Sequence, residues 1–67
     1  MTAVTVNGEA ETLAAGTTVA DLVARHRESP RGVAVARNEE VVSRSRWADT
    51  VLVDGDRCEI LTAAQGG

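Results

Sequence analysis

The residues best suited to chemistry close the sequence: Ala63-Ala64-Gln65-Gly66-Gly67 follows an alternating apolar run and carries neither charge nor bulk. Two final glycines set an α-carboxylate on a stem without β-carbons, which adopts backbone angles closed to other residues and can approach another backbone closely. Extended, the four residues from Ala64 to Gly67 reach roughly 13 Å at about 3.3–3.6 Å each. That is enough to enter a cleft on a neighbouring protein while the domain stays outside. The carboxylate is ionised at neutral pH, its reference pKa being about 3.3–3.7, and its charge repels nucleophiles. To react it must first be activated, for example as an acyl-adenylate, and a Gly-Gly carbonyl leaves such a species open to attack. On the dipeptide alone a frayed chain end is the commoner reading, since termini are loose and glycine favours that.

The remaining candidates are few. One cysteine, Cys58, and one histidine, His26, form no disulfide and no ligand set at zinc spacing. His26 ends a helical apolar stripe with no Ser, Cys or carboxylate placed beside it by a motif, so it reads as a boundary residue with a satisfied ring nitrogen rather than a catalyst. Cys58 alternates inward with Ile60 and reads as a small core hydrophobe. A reactive thiol needs an exposed, electropositive setting, and Glu59 is its neighbour. Trp47 serves either as a surface contact for a partner or, the preferred reading, as a lid over one edge of the core.

Composition narrows the classes. At 67 residues with 43% apolar content this is one domain, near the lower size limit for folding without staples. All seven basic residues are Arg; with ten acidic residues the net charge is −3. That acidic balance argues against nucleic acid, which requires a basic surface, and a single aromatic residue removes the base-stacking platform. No basic segment followed by an apolar stretch opens the chain, and no apolar run nears the ~20 residues of a membrane span. A cytoplasmic protein with no membrane partner is expected.

The elements that must position the tail follow in order. Val4 and Val6 share one face of an opening strand. Asn7-Gly8 predicts a type I′ hairpin turn, and a second strand from Glu9 returns with Leu13 inward. Thr18 is an N-cap whose box is completed by Asp21. Val19, Leu22, Val23 and His26 then make one helical face, and the helix is expected to stop at Glu28 or Ser29, before Pro30. Pro30-Arg31-Gly32 turns into Val33-Ala34-Val35-Ala36, a small-residue strand with both faces suited to burial. Asn38-Glu39-Glu40 turns again, Val41-Val42 starts a short extended piece, and the stretch from Ser43 to Asp49 reads as irregular. Another apolar stretch spans 50–53. After the Asp54-Gly55 turn, a last strand points Cys58 and Ile60 inward, Arg57 and Glu59 outward. One helix on a mixed four- to five-stranded sheet is the expected α+β architecture, the helix acting as a crossover that permits a parallel neighbour. Residues 1–63 form the domain and 64–67 a flexible tail.

Taken together these residues resemble the ThiS-type sulfur carriers of thiamin biosynthesis, which have a ubiquitin-like β-grasp fold. The likeness rests on Asn7-Gly8, on Gly16-Thr17-Thr18-Val19-Ala20-Asp21-Leu22, and on Val33-Ala34-Val35-Ala36-Arg37-Asn38. It continues through Trp47 with Thr50 and Asp54-Gly55-Asp56-Arg57-Cys58-Glu59-Ile60 to the closing Ala64-Gln65-Gly66-Gly67. Cys58 departs from the usual aliphatic residue, a change of similar volume. The resemblance implies that an E1-like ThiF-type enzyme adenylates Gly67 with ATP, that sulfur from a cysteine desulfurase or another donor converts it to a thiocarboxylate, and that a ThiG-type thiazole synthase receives the sulfur. Gly66, Gln65 and Ala64 would enter the partner sites. The protein would then be a carrier with no bound cofactor or metal, not an enzyme. Outward-facing Arg57 and Glu59, near the tail, are the expected docking residues. Three other readings stand beside it: a different β-grasp sulfur carrier (molybdopterin synthase small subunit, cysteine or siderophore pathway), a ubiquitin-like modifier, and an interaction module with an inert tail.

Overall fold

β1 (Thr2–Val6) and β2 (Glu9–Leu13) form the expected hairpin in the structure, a computed structural model that describes residues 1–27, 29 and 31–62. The central residues of its turn, Asn7 and Gly8, have φ of 52° and 86°, the left-handed geometry that a two-residue connection with Val6 opposite Glu9 requires. The expected tail, Ala64, Gln65, Gly66 and Gly67, lies outside the described residues, as do Glu28 and Pro30.

Helix α1 (Val19–His26) starts as the capping box dictates: Thr18 Oγ1 accepts from the Asp21 N–H, and the Asp21 carboxylate accepts from the Thr18 N–H, each at 3.1 Å. It ends sooner than expected, at His26. Arg27 has already turned to extended angles (φ −137°, ψ 143°), its Nε donates to Thr62 Oγ1 at 2.9 Å, and its guanidinium also donates to the His26 carbonyl at 2.9 Å. The side chain that would have extended the helix instead ties the helix end to the sheet.

The remaining strands are β3 (Val33–Arg37), β4 (Glu40–Val42) and β5 (Arg57–Thr62), and the sheet order is β2-β1-β5-β3-β4. β5 runs parallel to β1 and antiparallel to β3, so the sheet is mixed and the last strand is its centre. β3 is an interior strand, but the expectation that both its faces are buried is corrected: Val35 is buried while Ala34 is exposed, because only one face of the sheet is covered. Residues 44–49, read as irregular, form a 3-10 helix (Arg44–Asp49). The apolar stretch 50–53 makes only a bridge between Val51 and Thr18, and Leu52 alone of its aliphatic residues is buried.

Val4, Val6, Leu13, Val35, Cys58 and Ile60 of the sheet meet Val19, Leu22 and Val23 of α1, with Leu52 and Trp47 closing the side. Full burial of an aliphatic side chain contributes about 1.5–3 kcal/mol, so this short list carries the fold. Trp47 is the lid: its ring is buried and its indole N–H donates to the Val42 carbonyl at 2.9 Å.

Candidate functional site: the strand leading to the tail

β5 is the last described element, and everything beyond Thr62 depends on where it points. Three devices fix it. At its start, Asp56 is buried at 3% exposure and its carboxylate accepts from Arg37 Nε (2.9 Å), Asn38 Nδ2 (3.0 Å) and the Val53 N–H (2.9 Å). Burial by itself would raise this carboxyl; the donors from Val53, Asn38 and Arg37, with the Arg37 charge, outweigh it and hold the group below its ordinary value. In its middle, the Asn7 side chain accepts from the Ile60 N–H at 2.8 Å and donates to the Ile60 carbonyl at 3.1 Å, continuing the β1 pairing past the end of that strand. Asn38 repeats the device on the other edge, accepting from the Arg57 N–H at 2.9 Å. At its end, Thr62 accepts from Arg27. Both asparagines have φ of 52°, a conformation that Asn tolerates better than most residues.

The outer face of β5 presents Arg57, Glu59 and Leu61, all exposed. The structure places the two expected docking residues on that face, as alternation required. Arg57 approaches Glu39 at 3.5 Å, with both side chains largely solvated, so this pair contributes little. Beside them lie Ala34 opposite Leu61 and Ala36 opposite Glu59, small side chains that leave the face shallow. On the inner face, Cys58 is a free, buried thiol; burial first, then the negative charge of Asp56, push it up against a smaller opposing pull from Arg37. It stays a protonated core residue. His26 Nε2 lies 2.7 Å from Glu11 Oε2, the satisfied boundary residue the sequence predicted. Among the described residues no group of three or more His, Cys, Asp or Glu could hold a metal ion, and no helix is long and apolar enough to cross a membrane.

Sequence reasoning missed the Asp56 cluster. An aspartate between a turn and a strand reads as a solvated loop residue, and its donors come from residues 37, 38 and 53, whose proximity is a product of the fold. The Arg27–Thr62 tie was hidden for the same reason.

One helix packed on a mixed five-stranded sheet whose central last strand runs parallel to the first is the β-grasp architecture. Over residues 4–67 the sequence matches the model of the ThiS family, and the chain belongs to that family. It is 34% identical over 61 residues to the sulfur carrier protein ThiS of Escherichia coli, covering 91% of this chain and 92% of that one. The fold superposes on the crystal structure of a thiamine biosynthesis protein (ThiS) from Geobacter metallireducens with a TM-score of 0.81 and 34% identity, covering 97% of this chain and 99% of that one. Two thiazole synthases, from Paramagnetospirillum magneticum and Magnetococcus marinus, are each 39% identical to it over 62 residues; the match takes in 92% of this chain but only 19% of either synthase. The chain spans about a fifth of the length of those relatives.

Proposed function

We propose that this chain is a sulfur carrier of thiamin biosynthesis and that Gly67 is the residue that carries the sulfur. The observation that supports this most directly is the family match, which extends through Gly66 and Gly67. The carboxylate of Gly67 attacks the α-phosphorus of ATP on a ThiF-type enzyme, forming a carbon–oxygen–phosphorus anhydride and releasing pyrophosphate. A sulfur nucleophile then attacks the acyl carbon: the carbon–sulfur bond forms, the carbon–oxygen bond breaks, and AMP leaves with the electron pair. If the donor is a desulfurase persulfide, a thiol reductant cleaves the resulting sulfur–sulfur bond to leave the thiocarboxylate. Without a β-carbon at Gly66, the tail stays narrow enough for both partner sites.

The acceptor in this reading is a ThiG-type thiazole synthase. Its support is that two thiazole synthases contain a segment 39% identical to this chain, joining the two partners covalently. The body of the domain supplies recognition: exposed Arg57 and Glu59 dock the activating enzyme, on a strand fixed at both ends.

The test is the intact mass of the purified protein before and after incubation with ATP, an activating enzyme and a sulfur source. Replacement of one oxygen by sulfur, mapped to Gly67, is the expected result. The charge-reversed variant Arg57→Glu with Glu59→Arg should remain folded and be adenylated more slowly. An unmodified Gly67 under all conditions would overturn the carrier reading and favour a modifier or an inert tail, and an unchanged adenylation rate would remove the docking role.

A further inference from the structure

β5 loses its neighbours one side at a time. Its register with β1 ends at Cys58, and the Asn7 side chain takes over at Ile60 with its two hydrogen bonds. On the β3 side the ladder runs on to Thr62, opposite Val33. Among the described residues, the last one of the strand is therefore laddered along one edge only. Alternation puts Thr62 on the inner face with Cys58 and Ile60, but unlike them it is exposed.

Arg27 reaches it there, its Nε donating to Thr62 Oγ1 at 2.9 Å across thirty-five residues of sequence. Arg27 is itself fixed twice more. Its backbone N–H donates to the Val23 carbonyl at 2.8 Å, and its Nη1 donates to the His26 carbonyl at 2.9 Å. These bonds seat the guanidinium on the C-terminal end of α1, where a cation suits the helix dipole. The helix in turn is packed into the core through Val19, Leu22 and Val23. Thr62 is thereby tied to the body of the domain as well as to β3. The lever beyond it is long, because five residues separate its root from the last carboxylate. At about 3.3–3.6 Å per extended residue, a tilt of about 10° at Thr62 moves the far end by roughly 3 Å. A reaction between held groups loses rate steeply with misplacement of that size.

We infer that Arg27 and Thr62 form a positioning pair for the loading of Gly67: their hydrogen bond sets the direction in which the chain leaves β5, so that an activating enzyme seated on the outer face finds the carboxylate at its ATP. Neither residue touches the reacting atoms. Arg27 acts through Thr62, and Thr62 acts through the chain that follows it. The inference rests on the carrier reading above and adds a separation of two steps to it. Arg57 and Glu59 govern how tightly the enzyme holds the domain, which sets the half-saturating concentration. Arg27 and Thr62 govern how often a held domain presents its carboxylate in attacking geometry, which sets the maximal rate. The hydroxyl of Thr62 carries this role and the shape of the side chain does not, so valine, equally β-branched, isolates it.

The experiment follows single-turnover adenylation of the full chain by an excess of a ThiF-type enzyme, read as pyrophosphate released from ATP at several enzyme concentrations. It compares the parent with Thr62→Val, Thr62→Ser and Arg27→Ala, each confirmed as folded by circular dichroism at the assay temperature. Thr62→Val should lower the maximal rate by about three- to tenfold, the worth of one ordinary hydrogen bond, and leave the half-saturating concentration unchanged. Thr62→Ser, which keeps the hydroxyl, should restore the rate. Arg27→Ala should match Thr62→Val, and the double variant should be no slower than either, since both remove one bond. A second readout needs no partner: the amide order parameter of residue 62 by NMR, about 0.85 in rigid backbone, should fall in Thr62→Val and Arg27→Ala and hold in Thr62→Ser. The inference is overturned if Thr62→Val keeps the parental rate, if it changes the half-saturating concentration instead, or if serine fails to restore the rate. It is equally overturned if the order parameter holds in all variants, or if Arg27→Ala slows adenylation where Thr62→Val does not, which would make Arg27 a direct contact of the enzyme. A parent that releases no pyrophosphate would sink the carrier reading and this inference with it; a parent and a Thr62→Val variant that load equally well would sink this inference alone.

Discussion

Replacing Asp56 by Ala removes the acceptor that three donors share at the start of β5. The Val53 N–H and the Asn38 amide are partly buried, and a buried donor left without a partner costs about 1–3 kcal/mol. The Arg37 side chain is 31% exposed and can turn toward water, so its share is smaller, about 0–1 kcal/mol. The sum is roughly 2–7 kcal/mol, and because Asn38 is an exposed residue whose amide can turn to water the expected loss is near the lower end, about 3 kcal/mol. A 67-residue domain has a total stability of roughly 3–10 kcal/mol at about 0.05–0.15 kcal/mol per residue. The substitution therefore removes a third or more of the whole, and the melting temperature should drop by about 10–25 °C.

Urea titration measures the loss directly, and the slope should stay unchanged if the denatured ensemble is unaffected. Acid adds an independent readout. The Asp56 carboxyl is lower in the folded protein than its ordinary value, so its contribution is complete above the unfolded value, about 3.9, and is lost as pH falls through the folded value. The parent should thus lose stability more steeply on the acid side than Asp56→Ala. In a double-mutant cycle with Asn38→Ala the losses should be strongly non-additive, since the two residues share a hydrogen bond. A loss below about 0.5 kcal/mol, the range of an ordinary surface substitution, would refute the argument that this cluster secures the strand.

Two further perturbations follow from the same geometry. Glu39 sits at φ 73° in the β3–β4 turn, where a non-glycine residue costs roughly 1–2 kcal/mol. Its pairing with Arg57 is long and solvated, so Glu39→Gly should raise stability by about 1 kcal/mol in the same urea assay; a neutral or destabilising result would show the turn to be unstrained. Cys58, buried and pushed toward the protonated thiol, should react with iodoacetamide only as fast as the protein unfolds, and Cys58→Val should cost less than about 1.5 kcal/mol. Rapid alkylation of the native protein would contradict its place in the core.

Local signals were the legible part of the fold. Asn7-Gly8 specified a turn because few residues accept positive φ twice in succession, and Thr18 with Asp21 specified a helix start because both partners lie within one turn. Alternation from Cys58 to Ile60 gave the inner and outer faces of β5, and with them the exposure of Arg57 and Glu59. The alanines of β3 misled. Small apolar residues read as buried on both faces, whereas Ala34 lies on the open side of the sheet and costs little there. The helix end was misplaced because local sequence carries the stop signal of Pro30 but not Thr62, thirty-five residues away from Arg27, which ends the helix sooner. Asp56 was illegible for the same physical reason: nothing in its neighbours' types announces that Arg37 and Asn38 will converge on it.

These non-local contacts share a direction. Arg37, Asn38, Asn7 and Arg27 all bond to β5 or to Asp56 just before it, from three different parts of the chain. A carrier of the proposed kind needs no catalytic group of its own, because activation of the carboxylate is supplied by the partner; what it must supply is a constant relation between a docking face and the root of its tail. A central strand with Arg57 and Glu59 on its outer face and Thr62 at its end provides that relation along one rigid element. It is paired with β1 at Arg57 and Cys58 and with β3 from Cys58 to Thr62, so neither face nor root can shift without breaking a ladder. The consequence is a division of labour that substitution should expose: changes at Asp56 or Cys58 act on the folded fraction and leave loading of the folded molecules intact, whereas changes at Arg57, Glu59 or Gly67 leave the folded fraction intact and act on loading.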